Sequence, residues 1–360
     1  MNEKINPFQI GVIIYLVQSG ITILNLPQVL ANQFGYNGWV ILIPLSCIVM
    51  VNIFLISLVF RLGQGQSIFI ILERSIHKVI LFPFYIGIAA LWAIIGCLAA
   101  KQYIIIYQMV AFPTTSPMLF KLIFDIVILL LVTKGIYNMS KAATVFFWLT
   151  IWMFLLLIVF LKDFEWSRLT PFFLKGDTHM AEGIMDVYSA FVGFEMCILL
   201  YPYAKKRHFF KAVYTANIGT TINYLVVCVI CFGFYSFGQL KHMLHPTLDL
   251  LAYIRFPFIE HIENLLFGFV LFSTIITTCI YIWGSKETLL RIIPNASEKW
   301  LTLVIVAVVF AVSWIPPTLT DVEKWLNRLI FAQVGLSFAL PLFLILLLII
   351  QGKSGGKINA

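Results

Sequence analysis

Two apolar stretches of the sequence carry helix-breaking residues where a membrane helix would run unbroken. The first contains Gly20 followed by Pro27, and the second contains Gly193 followed by Pro202. The backbone N–H and C=O groups that such breaks release can line a polar cavity in the middle of a membrane. The paired interruptions therefore predict a binding site for a small ligand.

The first break joins hydrogen-bonding side chains to backbone that can open. Gly20, Ile21 and Thr22 lie at its centre. N–H groups at the start of a helix attract an anion such as a carboxylate, and released carbonyls attract an ammonium group or a metal cation. We therefore predict that these three residues bind the ligand. The alternative is that Gly20 allows close helix packing and Pro27 merely kinks the helix.

The second break contains an acidic residue, since Gly193 and Phe194 are followed by Glu195. A carboxyl group within the membrane is costly, so it usually faces a cavity or a partner and has a function. We predict that Gly193, Phe194 and Glu195 complete the ligand site. The alternative is that Glu195 makes a structural hydrogen bond that braces the broken helix.

A cluster of hydroxyl side chains follows in a later apolar stretch. Thr274 and Thr278 are four residues apart, as are Ser273 and Thr277, so each pair shares a helix face. We predict that Thr274, Thr277 and Thr278 contribute to ligand binding. The alternative is that these hydroxyls bond only to the backbone of their own helix.

The composition is that of an integral membrane protein. Hydrophobic residues make up 61% of the chain and charged residues only 11%, whereas roughly a quarter of the residues of a soluble domain are charged. A membrane helix needs roughly 20 apolar residues. The sequence predicts an all-α protein with ten transmembrane helices, beginning near residues 8, 38, 80, 119, 142, 183, 211, 261, 299 and 328.

The distribution of basic residues predicts the orientation of the chain. The connectors on the side of the N-terminus hold nearly twice as many Lys and Arg residues as those on the other side. We therefore expect both termini to be cytoplasmic. The run Lys205-Lys206-Arg207 is expected to meet anionic lipid headgroups rather than nucleic acid. The sequence predicts neither a metal site nor a cofactor, and no enzymatic activity.

Lys101 lies within the third predicted span. Its long side chain is expected to reach the membrane interface. The alternative is a direct ion pair with Glu195.

The chain is predicted to be one membrane domain, residues 1–360, made of two related halves. The tripeptide Phe82-Pro83-Phe84 recurs as Phe256-Pro257-Phe258, at nearly the same offset as that between the two breaks. We expect the first repeat to cover about residues 8–161 and the second about residues 183–351. Five membrane helices in each half would give the halves opposite orientations in the membrane, with breaks in helices 1 and 6.

Several sequence features, in this order, resemble the endospore germination permeases, the B subunits of GerA-type nutrient germinant receptors. These features are Phe8-Gln9, Gly20 with Leu26-Pro27, Gly35 with Gly38-Trp39, the run from Phe191 to Glu195, Tyr201-Pro202, and Lys205-Lys206-Arg207. These permeases belong to the amino acid, polyamine and organocation transporter superfamily. The resemblance implies the leucine-transporter-type fold, a 5+5 inverted repeat with discontinuous helices 1 and 6.

The same resemblance implies a function. It implies a subunit of a receptor in the spore inner membrane, partnered by a larger A subunit and a C lipoprotein, that senses a nutrient such as an amino acid. In one respect the chain departs from the superfamily, because Thr22 stands where many members have the second Gly of Gly-x-Gly. The other hypothesis is a secondary transporter that moves an amino acid with a proton or sodium ion, because Thr277-Thr278 resembles a sodium site of the superfamily.

Overall fold

The regular structure of this chain is helical wherever it is described. A computed structural model describes residues 3–170, 180–253 and 262–355. In these residues the only β-type pairing is a single bridge between Ile5 and Ala204. The α-helices are α1 Pro7–Gln18, α2 Leu26–Phe34, α3 Leu42–Leu62, α4 Ile68–Ser75, α5 Lys78–Ala111, α6 Pro117–Thr133, α7 Ile136–Ile151, α8 Met180–Ser189, α9 Cys197–Leu200, α10 Phe209–Phe234, α11 Phe237–His242, α12 Pro246–Ala252, α13 Ile262–Ile292, α14 Glu298–Val312 and α15 Leu319–Gly355.

Several of these helices are suited to crossing a membrane, so the chain is a multi-pass membrane protein. Four helical segments are long and apolar enough to do so, namely Gly38–Leu62, Lys78–Ala111, Phe209–Phe234 and Leu319–Gln351. A fifth crossing is obtained if the bent pair Gly183–Ser189 and Phe194–Tyr203 counts as one span. Each of the ten predicted windows overlaps a helix. The number of ten crossings nevertheless stays a prediction.

The outer surface of the helix bundle is apolar, as a lipid-facing surface must be. Val51 on α3, Leu130 on α6 and Leu346 on α15 each expose 58–59% of their surface. A water-soluble protein rarely exposes so many large apolar side chains in contiguous patches. These helices therefore form the lipid-facing layer.

Helices α1, α5, α10 and α13 form the centre of the bundle. In the most apolar stretch of α10, 61% of the helix is buried inside the protein, compared with 33% in that of α15. Helix α1 packs on α10, and α5 runs along α13. At Gly96 of α5, an added Cβ atom would lie 2.9 Å from the Cβ atom of Tyr281, so the glycine allows the two helices to approach closely.

Both predicted breaks are present in the structure. Helix α1 ends at Gln18, a short 3-10 turn follows at Ile21–Leu24, and α2 begins at Leu26. Helix α8 ends at Ser189, and a turn leads to another 3-10 segment at Phe194–Met196. The repeat tripeptide Phe256-Pro257-Phe258 lies outside the described residues, so its match to Phe82-Pro83-Phe84 stays a prediction.

The two glycines at the breaks have different roles. Gly20 has φ −79°, and an added Cβ atom would meet only the carbonyl oxygen of Val17, at 3.8 Å, so other residues fit its conformation. Gly193 has φ +120°, which L-residues rarely adopt. A Cβ atom there would also lie 2.4 Å from Cγ1 of Val17. The second break therefore requires glycine.

We expect Gly193→Ala to lower the free energy of unfolding by about 2–4 kcal/mol, through backbone strain and the clash with Val17. The measurement is the melting temperature of the purified protein. Gly87→Ala on α5 is the control, because no atom lies within 4 Å of its added Cβ. Equal melting temperatures for the two variants would contradict the assignment of Gly193.

Candidate ligand-binding site

The two breaks are held to each other by hydrogen bonds. The amide of Gln18, at the end of α1, donates from Nε2 to the carbonyl oxygen of Phe191 in the second break, at 2.9 Å. The hydroxyl of Tyr224 on α10 lies 2.6 Å from the carbonyl oxygen of Gln18 and 2.9 Å from that of Ala190. Carbonyls that the breaks release on both chain segments therefore find donors inside the protein.

A buried polar cluster on α3 and α10 holds Gln18 in place. Its Nε2 also donates to Oδ1 of Asn217, at 3.2 Å, and its Oε1 accepts from the hydroxyl of Thr220, at 3.2 Å. Asn217 in turn donates to the hydroxyl of Ser46 on α3, at 2.9 Å. All four side chains are at most 2% exposed. The cluster fixes the orientation of the amide that joins the two breaks.

This cluster is not among the residues predicted from the sequence, although the sequence contains a signal for it. Asn217, Thr220, Thr221 and Tyr224 recur at helical spacing within the otherwise apolar α10. Polar side chains on one face of a membrane helix usually point to a polar partner inside the bundle.

A cavity lies beside the two breaks, with an empty volume of about 570 Å³. We call it the central cavity. Its wall comes from the opened segment after α1, the turn after α8, and helices α5, α13 and α15. Representative lining residues are Gly20, Ser189, Ala99, Thr277 and Ile330.

Five of the predicted site residues line the central cavity, namely Gly20, Ile21, Thr22, Thr274 and Thr277. The structure brings these residues together from two distant parts of the sequence.

The other four predicted site residues, Gly193, Phe194, Glu195 and Thr278, are buried and do not line the central cavity. The second break contributes Ser189, Ala190 and Val192 to the wall instead. The turn after α8 directs the residues that precede Gly193 toward the cavity and packs Gly193 against Val17.

Glu195 makes three hydrogen bonds that brace the second break. Its carboxylate accepts from the backbone N–H of Gly193 at 2.7 Å, from the hydroxyl of Tyr281 at 3.1 Å, and from Nε2 of Gln333 at 2.8 Å. Gln333 also accepts a bond from the indole of Trp92, at 3.1 Å. Because Tyr281 lines the central cavity, Glu195 is one hydrogen bond away from that space.

The threonine hydroxyls bond to their own helix. Thr274 donates to the carbonyl of Val270 at 2.8 Å, and Thr277 donates to that of Ser273 at 2.9 Å. Their oxygen lone pairs remain able to accept hydrogen bonds or to contact a cation. Thr278 differs, because its hydroxyl also approaches the carbonyl of Gly96 on α5, at 3.2 Å. It therefore links α13 to α5.

A second, more polar space adjoins the central cavity, and the two share lining residues such as Thr22 and Gln102. We call it the vestibule. Asp186 and Glu323 line it, and the amide of Gln102 donates to Glu323 at 3.4 Å. No Lys or Arg lines either space among the described residues. A ligand with a cationic group is therefore favoured over a purely anionic one.

The structure places Lys101 in neither predicted environment. It is 3% exposed, and its ammonium group donates to the carbonyl oxygens of Ser313 and Pro316, just beyond the end of α14. A cation at this position complements the negative end of the α14 dipole. Lys101 thus caps a neighbouring helix, and Glu195 is not among its hydrogen-bond partners.

Helix α12 covers the first break. The hydroxyl of Thr247 donates to the carbonyl oxygen of Ile23, at 2.8 Å.

His245 lies just before α12, outside the membrane-spanning helices. Burial lowers its pKa, although nearby Asp249 opposes this shift. Burial therefore favours the uncharged form of His245. Within the described residues, no group of three or more His, Cys, Asp or Glu side chains is arranged to hold a metal ion.

The sequence matches a known protein family over most of its length. The profile of the family described as spore germination protein, or spore permease, matches residues 4–322. The chain belongs to the spore germination permease family. Members of this family are permease-like membrane proteins rather than members of an enzyme class.

Curated relatives of this permease-family chain carry the same description. Spore germination protein GerQB of Bacillus cereus is 25% identical over 317 residues, which are 86% of each chain. Spore germination protein A2 of Bacillus subtilis (strain 168) is 26% identical over 366 residues, which are 97% of each chain. The family profile, which matches residues 4–322, extends across both breaks.

The fold of this permease-family chain is similar to that of a known transporter. The structure is similar to that of Mhp1, a nucleobase-cation-symport-1 family transporter in a closed conformation with bromovinylhydantoin bound, with a TM-score of 0.64. The match covers 94% of this chain and 78% of Mhp1, at 13% sequence identity. At this identity the similarity shows the fold alone.

We expect Tyr224→Phe to lower the free energy of unfolding by about 1–3 kcal/mol, because two buried carbonyls lose their shared donor. Thermal melting of the purified protein measures the loss. The control is Tyr253→Phe, which removes a hydroxyl from a residue that is 69% exposed. A Tyr224 variant as stable as the control would refute the role of this hydroxyl.

We expect Glu195→Gln to destabilise the protein by about 1–3 kcal/mol. The NH₂ group of the new amide is a donor, and it would face the Tyr281 hydroxyl and the Gln333 amide, which are themselves donors to this position. Adding Gln333→Glu should restore much of the loss, since the exchanged pair can again match donor with acceptor, and the new carboxylate still accepts from Trp92. Melting temperatures of the single and double variants measure this. A double variant no more stable than Glu195→Gln would disprove the bracing role.

Proposed function

We propose that this chain is the nutrient-sensing membrane subunit of a spore germination receptor, and that it binds a small ligand in the central cavity. The observation that carries the proposal is the cavity itself, which lies where the two broken helices meet in a protein of the germination family. Mhp1, whose fold is similar, is a transporter with a small molecule bound.

The lining of the central cavity supports an amino acid as the ligand. Thr22, Gln102 and Thr277 provide uncharged polar groups, and Val17 and Ile330 provide apolar surface. An amino acid in its zwitterionic form carries no net charge, and its ammonium and carboxylate groups each need polar partners, which these uncharged polar groups can supply. Its ammonium group is favoured by Asp186 and Glu323 of the vestibule. Gly193, Phe194, Glu195 and Thr278 would then support the site without touching the ligand.

The proposal includes the setting of this subunit in the cell. The chain would form one domain, residues 1–360, of ten membrane crossings in two inverted repeats, with both termini in the cytoplasm. The membrane is the inner membrane of the spore, and the partners are an A subunit and a C lipoprotein. The germination relatives support this setting, and the transporter-like fold supports the inverted repeats. The chain would carry out no enzymatic reaction.

The alternative function is coupled transport of an amino acid with a proton or sodium ion. It is favoured by the placement of Thr277 on the same cavity wall as Gly20, because hydroxyl oxygens together with released carbonyls are ligands suited to sodium.

We expect Ala99→Leu to raise the nutrient concentration needed for germination roughly tenfold to hundredfold, because the larger side chain occupies the central cavity. Spores that carry the variant as their only copy are titrated with amino acids, and loss of optical density reports germination. Ala90→Leu on the exposed side of α5 is the matched control. An unchanged response in Ala99→Leu spores, with normal protein levels, would place the ligand elsewhere.

Uptake distinguishes the two functions. The purified chain is reconstituted into liposomes with an imposed proton or sodium gradient, and entry of the labelled amino acid that triggers germination is followed. The sensor function predicts binding without gradient-driven accumulation. Accumulation that Ala99→Leu abolishes would establish the transporter function instead.

A further inference from the structure

A second cavity lies on the other side of the opened segment from the central cavity. Its empty volume is about 680 Å³. The opened segment contributes Ser19 and Ile23 to its wall, whereas Gly20 and Thr22 face the central cavity. The remaining wall comes from helices α1, α7, α10, α12 and α13 and from the 3-10 segment Trp152–Lys162. The two cavities therefore share the opened segment as a partition.

Asn223 gives the second cavity an unused hydrogen-bond acceptor. The residue lines the cavity and is 5% exposed. Its Nδ2 donates to the hydroxyl of Tyr15, at 3.2 Å. Its Oδ1 atom is buried and has no hydrogen-bond partner among the described residues. A buried acceptor without a donor is destabilising, and a bound O–H or N–H group would remove that cost.

The rest of the wall defines the kind of molecule that fits. Leu16, Leu157, Val227, Leu251 and Val270 make most of it apolar. None of the described lining residues is Asp, Glu, Lys or Arg. A charged molecule would be desolvated there without a partner, which is strongly unfavourable.

A groove next to the second cavity offers a route from the lipid. Tyr15 and Asn223 line both spaces, so their hydrogen bond stands between them. The groove is also lined by Phe8, which is 51% exposed, and by Ile222, which is 56% exposed. Large exposed apolar side chains on a membrane protein contact lipid, so the groove opens into the bilayer.

We propose that the second cavity binds an uncharged amphipathic molecule that enters from the bilayer and donates one hydrogen bond to Oδ1 of Asn223. A medium-chain alcohol has this chemistry. The apolar tail would lie among Leu157, Val227 and Leu251, and the hydroxyl would face Asn223. The occupant would contact the opened segment from the side opposite the central cavity, so it would not occupy the space proposed for the nutrient.

The test uses the full-length protein in phosphatidylcholine nanodiscs and a photoreactive medium-chain alcohol carrying a diazirine. Peptide mass spectrometry locates the crosslinks. We expect labelling of the segments that contain Leu157, Leu251 and Val270. Heptan-1-ol should compete about tenfold better than hexyl methyl ether, which has the same number of heavy atoms but no donor. Equal competition by alcohol and ether, or labelling confined to lipid-facing residues, would overturn the proposal.

Two variants on α10 provide a matched comparison. Val227→Phe fills the second cavity and should abolish specific labelling. Ile218→Phe, at a residue that is 43% exposed and lines neither the second cavity nor the groove, should keep labelling at these segments. Asn223→Leu should remove the preference for alcohol over ether while the cavity remains, and it keeps the test decisive if Val227→Phe does not fold. Alcohol preference retained in Asn223→Leu would rule out the proposed hydrogen bond. Because no nutrient is used, this result is independent of the germination assay.

Discussion

The structure depends on how backbone carbonyls are satisfied where two membrane helices are broken. An unsatisfied carbonyl in the hydrocarbon region costs several kcal/mol. Here the side chain of Gln18 bonds to the carbonyl of Phe191, and the hydroxyl of Tyr224 lies within hydrogen-bond distance of the carbonyls of Gln18 and Ala190. The first break thus supplies a donor to the second, and Tyr224 on α10 joins the two. The central cavity is the space left beside this junction.

The same junction separates groups that hold the fold from groups that are available to a ligand. The carboxylate of Glu195 already has three donors, so it acts on the cavity only through Tyr281. Tyr281 touches the cavity, and Gln333 continues the chain of hydrogen bonds to α15. A ligand that displaces the Tyr281 hydroxyl would alter the bonds between the second break and α15. This is a physical route from ligand binding to a change in helix packing.

The sequence predicted the membrane class, both breaks and the hydroxyl-bearing face of α13, because helix breakers and polar residues stand out in apolar runs. It could not predict which side of each break faces the cavity. Successive helical residues are rotated by about 100°, which places Thr277 in the wall and Thr278 against Gly96. The turn before Gly193 likewise turns Glu195 away from the cavity. Gln18 was overlooked because its partner is 173 positions away in the sequence.

Reactivity of adjacent threonine positions toward a water-soluble thiol reagent tests the central claim most directly. Thr277→Cys and Thr278→Cys are compared, with the wild-type protein as the baseline for its six native cysteines. We expect the reagent to modify Thr277→Cys. It should not modify Thr278→Cys, because Thr278 is only 1% exposed. An amino acid that triggers germination should protect Thr277→Cys. Equal reactivity at both positions, or no modification at Thr277→Cys, would contradict a water-accessible cavity between the broken helices.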